Sequence, residues 1–198
     1  MTTHAQNILA VFNQATPEEI ESGKAWYINA RNDAQEIADA CELPLHVVVG
    51  VIAALSPTNL WEQNVKDARL FCETFVSGGY FEDVKASTYK KMWEKAWSIL
   101  QAGANHHSPD YIATILNGPK ITDFFWCILG FDCCVIDGHA WGIAFADRRV
   151  MQDVPFIGKK LRKELQKAYI HAGHATGLMA YEMQAITWVA WRRIHGIA

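Results

Sequence analysis

Residues 45–55, Leu-His-Val-Val-Val-Gly-Val-Ile-Ala-Ala-Leu, constrain this chain more than any other stretch. Apart from His46 the segment is apolar on every side. As a helix it offers no face to water and has to be enclosed by other elements. It falls well short of the roughly 18 consecutive apolar residues that a membrane-crossing helix needs. The β-prone run Val47–Val49 lies inside a longer helical pattern rather than an alternating one. A central helix therefore organises the fold. The 198 residues suffice for one domain or for two small helical lobes.

Nearly every other segment carries helix punctuation. Thr16-Pro17-Glu18-Glu19 supplies an N-cap, a proline at the first helical position and acidic residues in the first turn, which predicts a helix to about Cys41. Leu43-Pro44 ends it. Ser56-Pro57-Thr58-Asn59 reads as a polar turn, followed by an amphipathic helix from Trp61 to about Val76 that stops at Ser77-Gly78-Gly79. Residues 80–86 read as a loop and 87–102 as a helix, with Trp93 and Trp97 on one face. A short helix starts at Ser108-Pro109-Asp110 and ends at Asn117-Gly118. Helices over 120–130, 138–147, 158–172 and 179–195 complete the chain. With no strand pattern, internal repeat or low-complexity tract, the predicted class is all-α.

Composition excludes several classes. At 51% hydrophobic and 20% charged residues the chain is an ordinary globular protein, not a disordered one. Its start, MTTHAQNILAVFNQ, lacks the basic opening and small-residue cleavage site of a secretory signal, so a cytoplasmic location is expected, with no membrane partner. The five cysteines form no CxxC pair, and Cys133 and Cys134 are adjacent. They read as small buried hydrophobes in a reducing compartment rather than as a disulfide or iron–sulfur framework. His106-His107 and His171/His174 lack a carboxylate or thiol complement, so no metal is expected. Charge is uneven. Residues 1–147 carry 9 Lys+Arg against 18 Asp+Glu, and 148–198 carry 9 against 3, a difference of −9 and +6 that sums to −3. The basic C-terminal third is either a polyanion-facing surface or a solvated face.

Three constellations can carry chemistry. Ser56, Thr58 and Asn59 stand between a buried helix and an amphipathic one, where they either cap helices or line a cleft edge. Leu116-Asn117-Gly118-Pro119-Lys120 is a tight turn opening a helix, a site where backbone N–H groups bind phosphate; Lys120 adds a charge, serves as an amine nucleophile, or is simply solvated. Val135-Ile136-Asp137-Gly138-His139 brings a lone carboxylate to a helix start behind an apolar approach, with Trp141 close by. Asp137 is an N-cap or a functional carboxylate. The last helix adds Gln184, Thr187, Trp188, Trp191 and Arg192 at helical spacing, polar groups amid apolar ones.

The order of these parts resembles the helix-hairpin-helix DNA glycosylase superfamily. That family carries a buried helix with "L-S-x-Q/N-T", then "L-x-G-V-G-x-K/x-T-A", then "V-D-T-H". Leu55-Ser56-Pro57-Thr58, Leu116-Asn117-Gly118-Pro119-Lys120 and Ile136-Asp137-Gly138-His139 stand in the corresponding places. The segments 47–76 and 111–147 carry the likeness, which extends to small phage and prophage proteins. It implies a glycosylase-like fold of two helical lobes around a cleft, formed by one unit over 1–198. The motif-bearing core would span about 43–147, with 1–42 and 148–198 packing as a second lobe. The hairpin has one glycine where the family usually has two, and Trp141-Gly142 stand where an arginine is common.

The resemblance implies DNA with a flipped base as partner and no cofactor. Asp137 would activate water or stabilise the oxocarbenium-like sugar, with His139 and Lys120 beside it. Ser56, Thr58 and Asn59 would fill the space of the extruded base or bond its widowed partner. Asn117 and Gly118 would hold the DNA backbone. Trp141, Gln184, Thr187 and Arg192 would receive the base and an adjoining phosphate. N-glycosidic hydrolysis of a modified or damaged base is the expected reaction. A phage-type hypermodification enzyme transferring an amine or amino acid to an activated 5-methyl pyrimidine is the first alternative. A non-catalytic DNA- or protein-binding protein on the same scaffold is the second.

Overall fold

A computed structural model describes residues 2–197. Among them the chain is all-α, with ten helices, 72% helix and no strand. The helices are α1 (Thr3–Phe12), α2 (Pro17–Cys41), α3 (Leu45–Leu55), α4 (Trp61–Val76), α5 (Lys90–Ala104), α6 (Pro109–Leu116), α7 (Pro119–Ile128), α8 (Gly138–Phe145), α9 (Lys159–Thr176) and α10 (Ala180–Ile194). Short 3-10 turns occupy Phe81–Asp83 and Met151–Asp153. No single helix is long and apolar enough to cross a membrane.

The chain divides into two compact units. One is continuous, Asn29–Leu129; the other joins the segment up to Ile28 to the segment from Gly130 onward. The stretch 43–147 that holds the three motifs is thus shared between them, with Asp137 in the second.

In the Asn29–Leu129 unit, α3 is the centre. Every residue from Val47 to Leu55 is buried, and α4, α5, α6 and α7 all pack on it. A helix without a polar face can be satisfied only this way. Gly50 permits the closest approach: a Cβ there would stand 2.6 Å from Cγ2 of Ile112 and 3.0 Å from Cγ2 of Ile99. Helix α5 begins at Lys90 rather than at 87, because the two residues before Tyr89 are engaged elsewhere. The Ser87 N–H donates to Asp67 Oδ2 at 2.7 Å, and the Thr88 hydroxyl to the Pro57 carbonyl at 2.6 Å.

The second unit is built from α1, the start of α2, α8, α9 and α10 around a core that includes Ile8, Trp141, Tyr169, Ile186 and Trp191. Helix α1 has no counterpart among the sequence expectations. The Thr2 hydroxyl caps it by accepting from the Ala5 N–H, and Ala5, Ile8 and Val11 form its buried stripe. Helix α9 runs past the expected stop at 172 to Thr176, with Gly177 as its left-handed cap. Gly173 does not break it. A Cβ at Gly173 would stand 2.8 Å from the Leu178 carbonyl oxygen, so the glycine is a point of close approach. Helix α8 closes two residues before 147, at Phe145, because Ala146 turns left-handed (φ 51°) and the Asp147 N–H bonds the Gly142 carbonyl at 2.9 Å. None of the five cysteines is in a disulfide; Cys41, Cys72, Cys127 and Cys134 are buried, and burial raises the thiol pKa of Cys41 and Cys72.

Candidate functional site

The sequence-derived candidates fall into two sets, one in each unit. Within Asn29–Leu129 lie Ser56, Thr58, Asn59, Asn117, Gly118 and Lys120. Within the other unit lie Asp137, His139, Trp141, Gln184, Thr187 and Arg192.

The 56–59 turn is clasped by a residue the sequence reading did not single out. Asp67 is 5% exposed and its carboxylate accepts from three donors. These are Asn59 Nδ2 at 2.9 Å, Gln63 Nε2 at 2.7 Å and the Ser87 N–H at 2.7 Å. Ser56 donates to the Ala53 carbonyl at 2.9 Å, a local helix-end bond. Thr58 is the outlying member, exposed and left-handed (φ 60°), a conformation rare for a β-branched residue. The signal for Asp67 was available: it is a carboxylate on the inward face of an amphipathic helix.

In the second motif two helices meet across a two-residue turn. Helix α6 ends on Asn117, left-handed at φ 41°, and α7 starts on Gly118 with Pro119 in its first position. No side chain caps the N–H groups of the first turn of α7. Lys120 is exposed in that turn. The half-buried Lys95, also unforeseen, donates its ammonium to the Leu116 carbonyl and holds the hairpin from below. Burial lowers the Lys95 pKa.

In the other unit, Asp137 is the N-cap of α8. Its Oδ1 accepts from the Ala140 N–H at 2.9 Å. Its Oδ2 accepts no hydrogen bond among the described residues, and the residue is half-buried. The apolar approach is present: Cys134, Val135 and Ile136 are all buried. Beneath it Tyr169, fully buried, donates to the Ala140 carbonyl at 3.4 Å. Burial foremost, together with Cys134 and Asp137, raises the Tyr169 phenol far above its ordinary pKa, against the opposing bond from Thr187. It therefore remains a neutral donor.

The neighbouring candidates differ in exposure. His139 is half-buried and meets Trp188 edge-on, ring centroids 6.2 Å apart. The Arg192 guanidinium lies over the same ring, 4.5 Å from the Trp188 centroid. Trp141 belongs to the core, 4% exposed and stacked on Phe145 at 4.8 Å. Thr187 is fully buried and its hydroxyl returns to the Met183 and Gln184 carbonyls at 2.7 and 3.2 Å, as a threonine inside a helix commonly does. Gln184 is 7% exposed; Tyr27 donates to its Oε1 at 3.3 Å across 157 positions of sequence. Tyr27 in turn meets Tyr181 edge-on at 5.3 Å.

Among the described residues no group of three or more His, Cys, Asp or Glu could hold a metal ion. His174 pairs with Asp132 at 3.0 Å, and His107 stacks on Tyr111 at 3.9 Å. What remains for chemistry is a carboxylate with one unengaged oxygen, a histidine and an Arg-backed tryptophan.

Comparison with curated proteins and with solved structures returns no significant match. A family model matches residues 1–195, nearly the whole chain. The protein belongs to that family, the family of unknown function DUF7178.

Proposed function

We propose that this protein is a DNA-base-directed, glycosylase-like enzyme in which Asp137 acts on the N-glycosidic bond of a flipped, modified or damaged base. The observation that carries the reading is the state of Asp137. Its Oδ1 is fixed by the α8 N-terminus and its Oδ2 is left unengaged in apolar company. A carboxylate anchored through one oxygen presents the other with a defined direction, as a group that must face a developing positive charge or orient a water needs to. The two-residue turn between α6 and α7, with no side-chain cap on the first N–H groups of α7 and with Lys120 exposed there, supports backbone binding by DNA phosphate. Trp188 backed by Arg192 supports stacking of an extruded base.

In this reading Asp137 stabilises the oxocarbenium-like sugar as the base departs, or takes a proton from the attacking water. His139, two positions further on and set against Trp188, would contribute a proton donor or acceptor to the bound substrate. Lys120 assists binding. The test is base release from duplexes carrying a panel of modified pyrimidines and purines, with Asp137→Asn alongside. The expected result is release by the native protein and a loss of about 100-fold or more in the variant. Full activity in Asp137→Asn overturns the assignment. Nucleosides of increased mass, with the base still attached to its sugar, identify group transfer to the pyrimidine instead.

A further inference from the structure

The segment 148–163, Arg-Arg-Val-Met-Gln-Asp-Val-Pro-Phe-Ile-Gly-Lys-Lys-Leu-Arg-Lys, holds six cations against one carboxylate in a chain whose net charge is −3. Arg148, Lys159, Lys160 and Lys163 are exposed and form no ion pair among the described residues. Lys159 and Lys160 open α9, with no acidic residue in its first turn. Cations at that end oppose the helix dipole, so they do not serve the stability of the helix.

Between the two cationic clusters stands Phe156, 93% exposed, and it is not on a frayed loop. Val154 and Ile157 on either side of it pack against the core, and Pro155 fixes the backbone before it. Met151 and Val150, 50% and 55% exposed, extend the apolar strip. A fully presented aromatic on a pinned loop, rimmed by unpaired cations, is a pattern of recognition rather than of packing.

The segment is also joined to the Asp137 motif. A Cβ built on Gly138 would stand 2.6 Å from Met151 Sδ and 3.3 Å from Val154 Cγ2. Arg162 donates to the Ile136 carbonyl at 2.9 Å, which ties the start of α9 to the residue preceding Asp137.

We propose that residues 148–163 form a DNA-docking surface in which Arg148, Lys159, Lys160 and Lys163 neutralise phosphates and Phe156 enters a base step as a wedge. The partner rests on charge complementarity and on the pairing of a wedge with phosphate-seeking cations, the combination by which proteins unstack and bend duplexes. This inference rests on the proposed function for its choice of DNA, and it gives the Asp137 unit a grip and an unstacking tool of its own.

The test uses the full chain, a fluorescent duplex containing 2-aminopurine, and a salt titration read by anisotropy. The Lys159→Gln/Lys160→Gln/Lys163→Gln variant should lower the slope of log K against log salt by about 0.9 for each phosphate released, up to about 2.7. Phe156→Ala should weaken binding by about 5- to 150-fold and abolish the 2-aminopurine fluorescence rise. Because these side chains are exposed, the variants should keep the native circular dichroism spectrum and melting point. Native binding with these losses but no base release would refute the proposed reaction and leave the docking surface standing. An unchanged slope in the lysine variant, or unchanged affinity and fluorescence in Phe156→Ala, overturns the inference. So does binding of anionic lipid vesicles through Phe156 with DNA binding unaffected.

Discussion

Asp137 performs a structural task whatever its chemistry, and a graded set of substitutions separates the two. Its Oδ1 closes the first turn of α8 through the Ala140 N–H at 2.9 Å. Removing such a cap costs about 1 kcal/mol, within a range of roughly 0.5–2. For a chain of this size about 1 kcal/mol corresponds to roughly 2–4 °C in melting temperature. Asp137→Ala should therefore melt lower by that amount. Asp137→Asn and Asp137→Ser keep a capping oxygen and should melt close to the native protein, less a few tenths of a kcal/mol for the lost charge at the helix N-terminus. Activity should order differently: Asn, Ser and Ala all fall by about 100-fold or more, since none supplies a carboxylate. Thermal melts followed by circular dichroism and single-turnover base release measure both quantities on the same samples. If activity tracks melting temperature, so that Asn and Ser remain active and only Ala declines, Asp137 is a helix cap and nothing more.

Other features give equally direct outcomes. Gly23→Ala should destabilise, although alanine is the better helix former by about 1 kcal/mol. The new Cβ would lie 2.7 Å from both the Cα and the backbone nitrogen of Ile186, atoms that cannot swing aside, and overpacking costs about 1–3 kcal/mol; a higher melting temperature would refute the close packing of α2 on α10. Asp67→Ala should lose roughly 2–4 kcal/mol in a denaturant titration, because three donors including Asn59 Nδ2 lose their acceptor together. Glu19 is held below its ordinary carboxylate range chiefly by its hydrogen bond from Arg193. A depressed folded pKa means stability that is present above the unfolded value and lost as pH falls through the folded one. The melting-temperature gap between native protein and Glu19→Gln should accordingly be present at pH 7 and shrink as pH falls below about 4.5; a gap that does not narrow with falling pH contradicts the pairing.

Helix ends were legible wherever the chain writes them locally. Pro17, Leu55, Trp61, Val76 and the Asn117-Gly118 reversal all fall where caps, prolines and glycines predict. The misplacements have two origins: distant partners engage Ser87 and Thr88, and local turns decide the ends of α8 and α9. Gly173 reads as a stop, yet it admits the Leu178 carbonyl; Ser87 and Thr88 read as helix, yet they are bonded to Asp67 and Pro57. The capping role of Asp137 is likewise local and was readable. The Tyr27–Gln184 bond, the Lys95–Leu116 bond and the Ser87–Asp67 bond join residues far apart in sequence, and no spacing rule announces them. For α1 the signal existed, with Thr2 as a cap and Ala5, Ile8 and Val11 at helical spacing.

The interrupted unit carries a kinetic consequence. Helix α1 packs on α8, α9 and α10, and His4 bonds the Ala144 carbonyl from 140 positions away. During synthesis α1 emerges first and waits, its apolar stripe uncovered, while Asn29–Leu129 is made and can already assemble around α3. Closing a chain of that length costs roughly 4 kcal/mol of entropy by the logarithmic loop law. A pre-folded middle unit replaces most of that floppy loop with a compact tether. The order of assembly then follows from connectivity: the α3-centred unit before the unit bearing Asp137, which needs α10 to have left the ribosome.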